Sequence, residues 1–304
     1  MLFRSRFDGA LDNIFALQDR VAASVVGAIE PRLRLSEIER VSRKPIGNLG
    51  AYDLYLRALA QMYRYTEQSF DEAVVLARRA LAIDPLYAPA AAIIVWCRTL
   101  QRVQGWGAPS YNDIAEGIRL ARQALEAGRD DPDTLWQAAW TLFILAGEAA
   151  LSKTFIDRAL TLNPNSATAW QCRGSIYALR NNQPEAAIEA FERAQRLSPF
   201  DPIGYYSSAG LALAHLVAQR FEQAIEWADR TLHAQPRIAT AIRVKIVAYA
   251  HLGRLEEARA ARAQMLAIDP RFTVGAMQAL GAPSFAPEFL DLYITGLRLA
   301  GVPE

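Results

Sequence analysis

Cysteine is scarce. Cys97 and Cys172 stand 75 positions apart and form no CxxC pair, which excludes a disulfide-stapled scaffold and a cysteine zinc site. Both fall on apolar helix faces and read as inert core thiols. Neither sign of charge dominates: 33 Lys and Arg face 32 Asp and Glu, a net of +1. No basic field marks nucleic acid or an anionic membrane as the partner. Lysine is nearly missing, with only Lys44, Lys153 and Lys245, so arginine carries almost all the positive charge and its capacity for bidentate pairing. Long hydrophobic runs are missing too. The longest candidate, Ala138–Leu151, is broken by Glu148 and falls short of the ~18 apolar residues a membrane helix needs. The opening Met-Leu-Phe-Arg-Ser-Arg-Phe has no signal-peptide core behind it, so a cytoplasmic chain without a membrane span is expected. The glycine-rich nucleotide signatures, G-x-S-x-G and H-E-x-x-H are all absent. His215, His233 and His251 are single residues on three helices, and no third ligand shares the phase of His215 and His251. No metal, cofactor or catalytic residue is expected.

What is present is a repeat, and its prolines show it. Ile83-Asp84-Pro85 returns as Ile268-Asp269-Pro270, with Leu162-Asn163-Pro164 and Leu197-Ser198-Pro199 as variants and Pro236 in the same role. Pro164 to Pro199 is 35 residues, Pro236 follows after 37 and Pro270 after 34. Twelve residues before each proline lies a small side chain: Ala73, Ser152, Ala187, Ala224 and Ala258. A small residue lets two helices approach closely, and the proline ends the second because it cannot continue the hydrogen-bond ladder. The first helix of each unit has its own pattern. Trp136 and Trp170 share a phase, Trp170, Gly174 and Tyr177 are spaced W-x3-G-x2-Y, and Tyr206, Gly210 and Leu213 echo them, as do Ile242, Ile246 and Tyr249. In the second helix, Ala187, Phe191 and Ala194 are spaced A-x3-F-x2-A. A stripe at helical spacing is core, so these aromatics are expected to stack one unit on the next.

These motifs resemble the tetratricopeptide repeat. The resemblance implies an all-α, right-handed superhelix of about six helix-turn-helix units, with an N-terminal helical junction and a C-terminal capping helix. The second unit departs from the period: Pro85 to Pro132 is 47 residues, and the excess fits the loop Gln104–Ser110 and the exit Gly128–Asp131. Trp106, between two glycines, is a candidate loop contact, either an exposed anchor or a plug folded back on the array. The domains expected are 1–46, a helical junction and remnant of an upstream domain; 47–270, the solenoid; and 271–304, the cap. Loss of residues 1–46 is expected to be tolerated.

Arg6–Asp19, Glu30-Pro-Arg-Leu33, Lys44-Pro45, Ala51–Arg57 and Gly296–Glu304 are similar to junction strings in multidomain bacterial class III adenylate cyclases. There a small mixed domain leads into a tetratricopeptide region. Similar regions follow winged-helix domains in some transcription regulators. The metal-binding aspartates of a cyclase find no counterpart: Arg6-Phe-Asp8-Gly is similar to one motif, but no strand–turn context and no second aspartate at suitable spacing follow. The resemblance implies a non-catalytic protein-interaction and regulatory module of a bacterial signalling protein. The alternatives are part of a cyclase whose catalytic domain lies upstream, or the sensing half of a transcription regulator. In tetratricopeptide arrays, first-helix positions line a concave groove. Carried onto this chain these are Tyr63, Arg64, Trp96, Gln137, Thr141, Gln171, Ser175, Ser207, His215, Arg243 and His251. They lack the lysine/asparagine clamp of chaperone-binding members, and suit a protein or peptide segment, or an upstream domain, laid along the groove.

Overall fold

A computed structural model describes residues 36–41, 50–106, 111–198 and 204–304. The expected junction strings at 6–19, 30–33 and 44–45 lie outside them. Among the described residues there is no strand. Twelve helices form six pairs: α1 Ala51–Arg64 with α2 Glu67–Ile83, α3 Ala88–Gln104 with α4 Tyr111–Ala127, and α5 Pro132–Ala146 with α6 Ala149–Leu162. Then come α7 Ala167–Leu179 with α8 Pro184–Leu197, α9 Tyr205–Val217 with α10 Phe221–Ala234, and α11 Ala239–His251 with α12 Leu255–Ile268. Two more, α13 Val274–Gly281 and α14 Pro287–Leu299, follow the array.

The recurring Asp/Asn-Pro sequence has a local explanation. After α2, α6 and α12 the amide of Asp84, Asn163 or Asp269 still donates to the carbonyl four residues back, at 2.9, 2.8 and 2.8 Å. The same residue's Oδ1 accepts from the amide two residues on, at 3.1 Å each time. Its carbonyl accepts from the residue after that, also at 3.1 Å. The side chain thus gives a partner to an amide that the ended helix no longer satisfies, and these three units leave their second helix through the same turn. Helix starts are set similarly. Thr66 and Ser69 make a reciprocal capping box before α2, Asp131 caps α5 with Pro132 in the first turn, and Ser166 and Thr273 cap α7 and α13.

The first helices form one layer: α1, α3, α5, α7, α9 and α11 each touch the next, while α2, α4, α6, α8 and α10 each pack between two of them and α12 packs on α11. Helix α3 also touches α11, so the inner layer curls until early and late units meet. Ala73, Ser152, Ala187, Ala224 and Ala258, the small residues of the period, are all fully buried at these crossings. Trp136 is buried edge-on against Trp96, ring centroids 4.9 Å apart. Trp170 differs from its expected core role. It is only half-buried, its Nε1 donating to the Pro164 carbonyl at 3.0 Å and its face covered by the Arg193 guanidinium at 4.1 Å.

Phe191 is buried with its ring between two glycines. A Cβ at Gly174 would stand 3.0 Å from that ring, and one at Gly210 only 2.2 Å. Gly210→Ala therefore overpacks a closed crossing and is expected to cost about 1–3 kcal/mol. The check is the urea midpoint, expected to fall at unchanged slope. Gly275→Ala, where a Cβ meets nothing nearer than 3.9 Å, should be neutral.

At the front of the array the segment 36–41 lies on α1. Val41 is fully buried, Tyr52 donates to Glu37 at 2.7 Å, and Arg57 donates to the Val41 carbonyl at 3.0 Å. Truncation at 46 would strip this cover from the first unit.

Candidate functional site

The polar residues of the inner layer mostly satisfy one another. Gln171 Nε2 donates to Ser207 Oγ at 2.9 Å, joining α7 to α9. Thr99 and Thr141 hydroxyls meet at 3.2 Å, joining α3 to α5. Thr141 and Ser175 also donate back to carbonyls one turn earlier, those of Gln137 and Gln171. Of the eleven positions carried over from the repeat pattern, Trp96, Gln137, Thr141, Gln171, Ser207 and Arg243 are buried. Tyr63, Ser175, His215 and His251 are half-buried, and Arg64 is exposed. His251 stacks on Phe221, centroids 5.1 Å apart, with Nε2 2.9 Å from the Leu292 carbonyl. His215 has other neighbours. Burial, and then Arg220, hold its imidazole below the ordinary range. Among the described residues, no three His, Cys, Asp or Glu side chains converge as a metal would need. No helix there is long and apolar enough to cross a membrane. Burial pushes the Cys97 and Cys172 thiols upward, which suits inert core residues.

The curl of the inner layer is fastened by residues the repeat pattern does not single out. Gln104, the last residue of α3, donates to the Tyr65 hydroxyl at 2.5 Å and accepts from the Ala239 amide at 2.8 Å. One buried side chain thereby ties the first, second and sixth units. Tyr65 adopts a left-handed backbone, φ 51°, and its ring meets Phe70, Trp106, Tyr205 and Tyr206 with centroids 5.3–5.6 Å apart. Trp106 is thus folded back on this cluster and half-buried. The rest of its loop, 107–110, lies outside the described residues.

Inside the curl runs the chain's own C-terminal segment. Arg102 Nη2 lies 3.4 Å from the Ala279 carbonyl, Arg180 Nη1 donates to the Phe285 carbonyl at 3.2 Å, and the Ala286 amide donates to the Leu179 carbonyl at 2.6 Å. Gly147, at φ 69°, admits Pro283 so closely that a Cβ would stand 2.3 Å from its carbonyl oxygen. Helix α14 then packs on α11. The expected cap is present and also crosses the second, third and fourth units. Tyr293 and Leu297 are buried, Leu290 and Leu292 partly so, and Leu299, also expected to cover the array, is 51% exposed. Between segment and inner layer lies a cavity of about 110 Å³, lined by Trp96, Trp140, Gln171, Tyr206, Arg243 and Tyr293 among others.

Residues 146–202 and 209–271 match the tetratricopeptide repeat family model. A Rhizobium meliloti (strain 1021) protein named "Putative adenylate cyclase 3" is 30% identical over 141 residues, which are 46% of this chain and 24% of that protein. The chain thus spans about a quarter of this relative's length. The Cut9–Hcn1 APC/C hetero-tetramer is similar in fold, with TM-score 0.57 and 16% identity over 90% of this chain and 49% of that one. The type IV pilus biogenesis factor PilW gives TM-score 0.48 and 16% identity, over 68% and 92%.

Proposed function

We propose that this tetratricopeptide-repeat solenoid is a non-catalytic protein-interaction module of a bacterial signalling protein, regulating a class III adenylate cyclase catalytic domain. The observation that carries it is the pairing of a repeat array with a 141-residue likeness to a protein named as a putative cyclase. A repeat array offers a partner a continuous surface built from successive units. With the C-terminal segment in place, Arg64, Tyr63 and His215 are the proposed positions that a partner reaches directly, while Ser175 borders the inner cavity and His251 lies against α14. Trp96, Gln137, Thr141, Gln171, Ser207 and Arg243 are reached only if that segment moves, and Trp106 only if its aromatic cluster opens. The partner is a protein surface or peptide segment.

The test is a titration of the purified chain into a class III cyclase catalytic domain, with cyclic AMP formed from ATP and manganese read in the same samples. The chain alone is expected to form none, and to bind the domain and change its turnover at least twofold. Cyclic AMP from the chain alone would overturn the non-catalytic assignment. Absent binding with unchanged turnover would overturn the cyclase partner.

A further inference from the structure

Arg243 is 5% exposed, yet among the described residues no carboxylate pairs with it. Its Nη2 donates weakly to Thr240 Oγ1 at 3.3 Å, the guanidinium is also hydrogen-bonded to the Tyr293 phenol, and its Nε makes no hydrogen bond within the protein. Both of those partners are neutral, so a buried cation here favours an anion beside it. Two cavities meet at this side chain. The inner one, about 110 Å³, is walled by Trp96, Trp140, Tyr206 and Phe285. The outer one, about 260 Å³, is lined by Arg102, Arg271, Asp269 and Phe272, and both share Arg243, Met277 and Leu280. The outer cleft thus holds three guanidinium groups against one carboxylate, and Asp269 already lies 3.8 Å from Arg271. Arg102 Nε has no hydrogen-bond partner within the protein either. In the inner cavity, Trp140 Nε1 and Ser284 Oγ are buried and unpartnered.

We infer that the two cavities form one binding site for a small organic acid. Its compact apolar body lies among the tryptophans, and its carboxylate sits at Arg243 between Arg102 and Arg271. The dimensions select the class. A cavity of ~150 Å³ accepts a benzene ring; the inner space, about 110 Å³, excludes a nucleotide and takes a short aliphatic chain, or a ring where it opens into the outer cleft of about 260 Å³. The planar guanidinium fork matches a carboxylate in two parallel hydrogen bonds. A singly charged acid suits a cleft that already holds the Asp269 carboxylate. The site is built from α3, α5, α9, α11 and the segment 277–293 together, so occupancy would hold the C-terminal segment in the curl. It does not depend on which protein the array binds.

The probes are 3-phenylpropionate and its neutral counterpart 3-phenylpropan-1-ol, titrated into the full chain by calorimetry and by fluorescence of the cavity tryptophans. The acid is expected to bind at least tenfold more tightly than the alcohol. Arg243→Gln should bring the two within about twofold of each other while leaving the alcohol's affinity in place. If that variant does not fold, Arg271→Gln, on the exposed rim, decides in its stead and should weaken the acid at least threefold and the alcohol not at all. Equal affinity of acid and alcohol for the unaltered chain, binding of neither, or undiminished acid binding after the arginine substitution would each overturn the site.

Discussion

A chain ending at Phe285 is expected to lose its cooperative thermal transition, or to melt on the order of 20 °C below the full chain. The deletion removes Phe289, Tyr293, Ile294, Leu297 and Val302, all buried. Each large apolar side chain contributes roughly 1.5–3 kcal/mol when fully buried. Their sum, an upper figure when reckoned against an extended chain, is comparable with the ~5–15 kcal/mol that holds a whole domain. The deletion also removes the bond from the Ala286 amide to the Leu179 carbonyl and the Tyr293 wall of the inner cavity, and it uncovers α11, on which α14 packs. Circular dichroism at 222 nm against temperature is the measurement. A truncated chain that melts with the full one would show that the segment only rests on a self-sufficient array. Leu299→Ala supplies the control, since Leu299 is half-exposed and its loss should barely register.

Phe191→Ala is expected to be the most damaging single substitution in the fourth unit, at about 3–5 kcal/mol. The ring is 1% exposed, fills the gap between Gly174 and Gly210, and borders the inner cavity. Two facing glycines have no side chains to move into the space left behind. The void would open onto an existing cavity of about 110 Å³ and could not collapse locally. The cost therefore falls toward the upper end of the range, because it rises with the cavity volume that remains. Equilibrium urea unfolding measures it, and a loss under 1 kcal/mol would mean that the crossing repacks. Gly210→Ala and Phe191→Ala contact the same space, so the double variant should depart from additivity.

The period was legible because it is encoded locally. Asp84, Asn163 and Asp269 each hydrogen-bond within three residues, so the turn can be read from a tripeptide. The small residues twelve positions earlier meet the neighbouring helix of their own or the next unit, and they too recur at fixed spacing. The curl was not legible. Gln104 acts on Tyr65 and Ala239, one 39 residues before it and the other 135 after, and glutamine at a helix end carries no periodic mark. The same holds for the Arg180–Phe285 contact across 105 residues. Groove positions transferred from the repeat pattern land on the inner layer, but the pattern says nothing of what covers it. Arg243 has the phase of a partner-facing residue and lies instead among Thr240, Tyr293 and two cavities. The clustering of Tyr205 and Tyr206 with Tyr65 was the one available hint, since adjacent tyrosines need more than one buried face to pack against.

The bond between Gln104 and Ala239 also has a consequence for synthesis on the ribosome. An open array can complete each unit as it emerges, because every helix meets only its neighbours. Here Tyr65 and Gln104 leave the exit tunnel long before the residue that joins them, 135 positions after Gln104. At roughly 5–20 residues per second, that delay is about 7–27 s. Until Tyr205 and Tyr206 emerge, about 100 positions after Gln104, the first two units present Tyr65, Phe70 and the tryptophan beside them to the surrounding fluid. The nascent N-terminal half is then a natural client for a chaperone, and the time for which it needs protection is set by the length of chain still to be translated.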